Sequence, residues 1–254
     1  AEAGNAWWKP RVPTGLTEER WARAIEIRPT TVSARRVTHH AISRLIQDEP
    51  DAQLRAADQA NDAGGIDRSQ SSGTFMEWAV GKQGEVMRPD SGKLMMPGSD
   101  IQWDIHYAAV GEEITAAAEL GVYLYPKDQP PAYRQVLHLM GTGQQDIPPN
   151  SFSISEGFFP LHRGARIESF QPHMHFRGQR MLLEAIHLDG RREVLTDVTN
   201  YEQTWQIVYA FEKPHLFPKG TILHTISWHD NTANNRHNPD PSAWIGWGSR
   251  TMDE

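Results

Sequence analysis

The chain has 254 residues, a formal net charge of -7 and no cysteine. That length supplies one large or two ordinary domains, and the missing thiols exclude disulfides, thiolate metal sites and thiol catalysis. An acidic balance without a basic block argues against nucleic acid or anionic membrane partners, and no apolar run approaches the roughly 20 residues of a membrane span.

With 20 Gly and 17 Pro the sequence favours turns over long helices. Residues 1–16 read as an extended lead-in. Arg20 to Arg28 alternates, with Trp21, Arg23, Ile25 and Ile27 on one face, and predicts a strand. After a turn at Pro29-Thr30-Thr31, Arg36 to Ser43 predicts a second strand that carries His39 and His40. Residues 47–75 lack a β pattern and read as a surface excursion, with a short helix near Asp51 to Gln59. Apolar character resumes from Phe75 to Val80. Ile101 to Tyr107 alternates cleanly: Trp103, Ile105 and Tyr107 share one face, and Gln102, Asp104 and His106 the other. Residues 114–125 predict a further strand, and Lys127 to Pro131 a linker.

Beyond it lie short apolar runs at 133–140, 152–160, 165–171, 180–188, 192–198, 205–211 and 221–228. Turn residues separate most of them, the signature of sandwiches and barrels. Asp189-Gly190 signals a two-residue type I′ hairpin. The expected fold is all-β: two β-sandwich domains in tandem, residues 1–127 and 128–254. Residues 229–241 form a turn-rich loop whose Asp and Asn oxygens suit Asx-turns; they match no calcium-loop signature.

Among 12 histidines two pairs stand out, His39-His40 and His173-Met174-His175. Residues i and i+2 of a strand point to one face, so His173 and His175 on a strand present two imidazoles to one ion. Neutral imidazole is the commonest metal ligand. Adjacent strand residues face opposite ways, so His39 and His40 reach one ion only where the strand ends, bulges or twists. Met174, between the paired histidines, points the other way and reads as core. His138, His162, His187, His215, His224, His229 and His237 read as surface or hydrogen-bonded side chains.

Four features stand in order: His39-His40, His106 in Asp-Ile-His-Tyr, His173-Met174-His175, and the end Trp247 to Glu254. This order and spacing resemble the copper type II, ascorbate-dependent monooxygenases, the family of peptidylglycine α-hydroxylating and dopamine β-monooxygenases, and most of all its bacterial members. The resemblance spans nearly the whole chain. It implies one copper in each domain, two per chain. His39, His40 and His106 would bind the electron-transfer copper. His173 and His175, with a methionine, would bind the oxygen-activating copper and act as the catalytic residues. It further implies hydroxylation of a C–H bond of a small organic substrate, with O2 and ascorbate or a similar electron donor. Two imidazoles and a thioether favour Cu(I), the state that binds O2.

The sequence also departs from the family. Asp104 and Gln171 stand where peptide-hydroxylating members carry Gln and Arg, which argues against a peptidylglycine substrate. The methionine ligand is expected directly after Asp253-Glu254, where the chain stops, and Met252 lies on the other side of that pair. The expectation is a boundary-cut chain, impaired in oxygen chemistry, from a periplasmic or secreted protein whose leader has been removed. Two alternatives remain: a non-catalytic copper-binding β-sandwich derived from such an enzyme, and a cupin-type oxygenase. The cupin needs a Glu four or five residues past the second histidine, where Gln179 and Arg180 stand.

Overall fold

The computed structural model describes residues 6–48, 73–79, 82, 84–108, 110–138, 140–141, 145–203, 205 and 207–246. The expected short helix at 51–59 and the terminal Met252 lie outside them. The regular structure of the described residues is nearly all β-strand, and they divide into two compact units, one ending at His138 and the other beginning at Met140. No helix among them is long and apolar enough to cross a membrane.

The first unit is a sandwich of two sheets. One contains β1 (Ala6–Trp8), β2 (Arg11–Pro13), β4 (Thr38–Ile46), β5 (Thr74–Ala79) and β8 (Asp100–Tyr107), in the order β1-β8-β4-β5 with β2 also on β8. The other contains β3 (Arg20–Pro29), β6 (Glu85–Val86), β7 (Ser91–Met95), β9 (Ala118–Leu124) and β10 (Tyr133–Arg134), in the order β10-β7-β3-β6 with β9 also on β3. The alternation of β8 turns Ile101, Trp103 and Ile105 into the core, where they meet Ile25 and Ile27 of β3 and Ala41 and Leu45 of β4. Arg23, which breaks the apolar face of β3, sits where the pairing with β9 shifts register between Ala22 and Ala24. That irregularity buries Ala22 and leaves Arg23 in solvent, which removes the conflict.

Two boundaries are corrected. Arg36 and Val37 belong to a helix, α1 (Val32–Val37), and β4 starts only at Thr38. Thr31 caps the helix, its Oγ1 accepting from the Ala34 N–H at 3.0 Å. The stretch read as the linker, 127–131, lies inside the first unit. The chain just beyond it runs parallel to β7, with the Tyr133 N–H on the Asp90 carbonyl and the Gln135 N–H on the Gly92 carbonyl, both at 2.8 Å. The division falls after His138.

The second unit packs a four-stranded sheet against a two-stranded one. The first holds β12 (Phe152–Pro160), β14 (Gly178–Ile186), β15 (Arg192–Val198) and β17 (Ile222–Asp230), in the order β12-β17-β14-β15; the second pairs β13 (Ala165–Phe170) with β16 (Tyr209–Phe217). A short ladder joins β11 (Asp146–Ile147) to β18 (Ile245–Gly246). Phe159, Leu183, Ala185, Phe217 and Leu223 form the buried core between the two larger sheets. The β14–β15 hairpin is not the two-residue type expected. The Gly190 N–H closes a turn on the His187 carbonyl, the His187 N–H bonds to the Arg191 carbonyl, and Gly190 alone takes a positive φ, 83°. Asp189 stays at negative φ and its carboxylate accepts the Arg191 N–H, so the loop has three residues.

Thr38 ties the end of α1 to the start of β4. It is buried, and its Oγ1 donates to the Ala34 carbonyl at 2.8 Å. Thr38→Val keeps the shape and removes this bond, so we expect a loss of about 1 kcal/mol in urea unfolding. An unchanged midpoint would show that the hydroxyl does not hold this junction.

Candidate metal centre

β4 and β8 run antiparallel, with Thr38 opposite Tyr107 and His40 opposite His106. Two steps along β4 match one along β8, so His39 is the extra residue of a β-bulge. The bulge resolves the problem posed by adjacent histidines. Both rings reach His106, with ring centroids 5.1 Å from it for His39 and 5.0 Å for His40. One ring nitrogen of each of the three lies within 4.8 Å of the others, and among the described residues no other group of three potential ligands does so. The centre lies on the face of the sheet turned away from the core, since Ala41, Ser43 and Leu45 point inward and His40 and Arg44 do not.

The electrostatics keep His40 and His106 neutral. His40 is pushed down to about 4 by burial, then by His106 and His39, with Asp104 opposing. Burial and His39 lower His106 as well, again against Asp104. A neutral imidazole has a lone pair free for a metal. His39 Nδ1 and His40 Nδ1 are 3.0 Å apart. That separation suits a hydrogen bond. It equally suits two nitrogens on one ion at about 2 Å each. Both ring nitrogens of His106 are buried without a hydrogen-bond partner among the described residues. Such groups are rare in native structures and call for an explanation. An all-imidazole set suits copper, zinc, nickel or iron, so the residues fit the copper implied by the motif order.

Sequence reasoning missed Trp7. It is opposite His106 in the β1–β8 ladder. Its indole stacks on that ring at 4.3 Å and 5°, and meets His40 edge-on at 5.3 Å. Only the strand register reveals this, because 99 residues of sequence separate the two.

The His-x-His stretch corrects one expectation and keeps its consequence. Residues 171–177 are a loop between β13 and β14, not a strand. The two rings still meet, T-shaped, with centroids 5.1 Å apart. The loop is pinned instead of pleated. Met174 is buried, as read, and Tyr201 Oη both accepts its N–H at 2.8 Å and donates to its carbonyl at 2.5 Å. Arg177 is buried too, with Nε on Asn231 Oδ1 at 2.7 Å. Among the described residues no third His, Asp or Glu joins His173 and His175 within ligand distance.

The other histidines take structural partners. His224 is buried between Glu184 Oε1 at 2.8 Å and Glu156 Oε1 at 3.0 Å, and His187 bonds to Glu193. The loop after β17 is a run of side-chain-to-backbone turns: Asp230 accepts the Thr232 N–H, Asn235 the His237 N–H and Asn238 the Asp240 N–H. Neither a protein-family model nor a curated protein matches the chain.

Two predictions follow from this unit. A Cβ at Gly178 would stand 2.6 Å from Met174 Cβ and 3.0 Å from Tyr201 Cδ1. Gly178→Ala is therefore expected to cost about 1–3 kcal/mol of stability, measured by urea unfolding, and a neutral effect would mean the loop yields. His229 is 3% exposed, Nε2 lies 3.2 Å from Gln145, and burial pushes the group down to about 4. The unfolded histidine takes a proton near pH 6.5 and the folded one does not. Stability present above about pH 6.5 is thus lost as the pH falls towards 4, on the order of 3 kcal/mol. His229→Gln should flatten that acid limb; an unaltered slope between pH 7 and 4.5 would refute it.

Proposed function

We propose that the chain is a copper protein that hydroxylates a C–H bond of a small organic substrate, using O2 and an ascorbate-like electron donor. The observation that carries this reading is the convergence of His39, His40 and His106, three imidazoles without a carboxylate among them. The ordered motifs that resemble the copper type II monooxygenases choose copper among the metals that such a set accepts. In the net reaction R–H, O2, two electrons and two protons give R–OH and water.

Each group of residues has a distinct task. His39, His40 and His106 would hold the copper that passes electrons. His173 and His175 would hold the one that meets O2. Copper supplies the one-electron steps between Cu(I) and Cu(II). Tyr201 and the buried Arg177 keep the 171–177 loop in one conformation, so that the paired rings hold their geometry. Asp104 carries charge beside the first centre, and Lys9 at 3.3 Å and Arg44 at 3.4 Å balance it.

Copper titration followed by EPR, paired with ascorbate-driven oxygen uptake, tests the proposal. We expect two coppers per chain, His106→Ala to bind one fewer, and the double variant His173→Ala/His175→Ala to bind one fewer and take up no oxygen above background. Two coppers without oxygen uptake would assign a non-catalytic copper protein. Failure to bind copper, or one iron or manganese instead, would overturn the reading.

A further inference from the structure

A metal-bound histidine is normally oriented by a hydrogen bond from its second ring nitrogen to a carboxylate, carbonyl or water. His106 makes none among the described residues, although both of its ring nitrogens are buried. The carboxylate two residues away does not supply it: Asp104 Oδ2 is engaged by Lys9 and Arg44, and its Oδ1 is buried without a hydrogen bond to any described residue. The contact that fixes the ring plane is Trp7, whose indole is stacked on His106 within 5° of parallel. Trp7 is 53% exposed, so filling the core does not account for it. Its position is nevertheless constrained: the β1–β8 ladder sets it opposite His106, and the Lys9 ammonium stands 5.4 Å from its ring centroid.

We propose that Trp7 is a positioning residue of the metal centre, its stacked indole orienting His106 in place of the missing hydrogen bond. The proposal rests on the copper reading of the three-histidine cluster. An aromatic face parallel to the imidazole resists tilting of the ring out of its plane, yet leaves both nitrogens free to bind. The edge contact with His40 extends the same restraint to a second ligand. Removing a hydrogen-bonded orienting partner typically costs 10–100-fold in metal affinity, and the stacked indole stands in that place here.

The test uses the full chain and Cu(II) alone, with affinity read by chelator competition and geometry by EPR. His106→Ala identifies the signal that belongs to this centre. Trp7→Leu keeps bulk without an aromatic face; Trp7→Phe keeps the face. We expect Trp7→Leu to weaken this copper about 10–100-fold and to change its hyperfine pattern, and Trp7→Phe to restore both to near wild type. Wild-type affinity and spectrum in Trp7→Leu, or equal impairment in the two variants, would overturn the proposal. If the wild-type chain gives no copper signal that His106→Ala removes, the copper reading itself fails and the role of Trp7 falls with it. That result is distinct, because it appears before any Trp7 variant is made.

Discussion

The candidate centre depends on one extra residue in a ladder. Had β4 paired with β8 without a bulge, the inward positions Ala41, Ser43 and Leu45 would place His39 on the core side and Thr38 outside. The observed register does the reverse: Thr38 is buried and His39 exposed. Threonine is the better occupant of the inner position, because its hydroxyl reaches back to the Ala34 carbonyl of α1. A histidine there would face desolvation of about 1–3 kcal/mol without a partner. The end of the helix, the bulge and the paired imidazoles are therefore one structural event. The short helix brings a threonine to the sheet out of phase, and the phase error delivers two adjacent side chains to one face.

The two histidine groups reach rigidity by different routes. His39, His40 and His106 take theirs from strands, where the ladder fixes each backbone. His173 and His175 lie on a loop, where no ladder exists, so fixing falls to buried side chains. Tyr201 grips both backbone groups of Met174, and Arg177 is sunk into Asn231, which itself donates to the carbonyls of Pro148 and Ala243 at 2.9 Å. A buried hydrogen bond to a charged group contributes about 1.5–3 kcal/mol. Moving this loop therefore means breaking the Arg177–Asn231 bond together with both Tyr201 bonds.

What was legible in the sequence follows from what each pattern records. The period of two in Ile101–Tyr107 reports burial directly, so β8 and the polar face of His106 were readable. The turn chemistry at Asp189-Gly190 showed a hairpin but not its loop length, because Gly alone was needed at positive φ. The apolar run at 205–211 covers only the start of β16, which continues through Pro214 to Phe217. The structure accommodates Pro214 by skipping: Ile167 pairs with His215 and Ser169 with Ala210, so residues 211–214 leave the ladder. At the site, the identity of the histidines was readable and their support was not. Trp7, Tyr201 and Asn231 act through contacts between residues far apart in sequence, and no local pattern carries such information.

The remaining constraint on the candidate centre is the carboxylate that stays out of the group. Asp104 lies two residues from His106 and on its face of β8, a place from which an aspartate would ordinarily compete as a ligand. A carboxylate joining three imidazoles would harden the donor set and shift its preference away from copper towards harder ions. Lys9 and Arg44 hold Oδ2 at 3.3 and 3.4 Å, the side chain is only 11% exposed, and Oδ1 is buried without a partner among the described residues. Turning Oδ2 itself to an ion would leave these cations uncompensated beside a metal cation, an arrangement opposed by direct repulsion. Asp104 thus stays outside the group formed by the three rings, with one of its oxygens committed to Lys9 and Arg44.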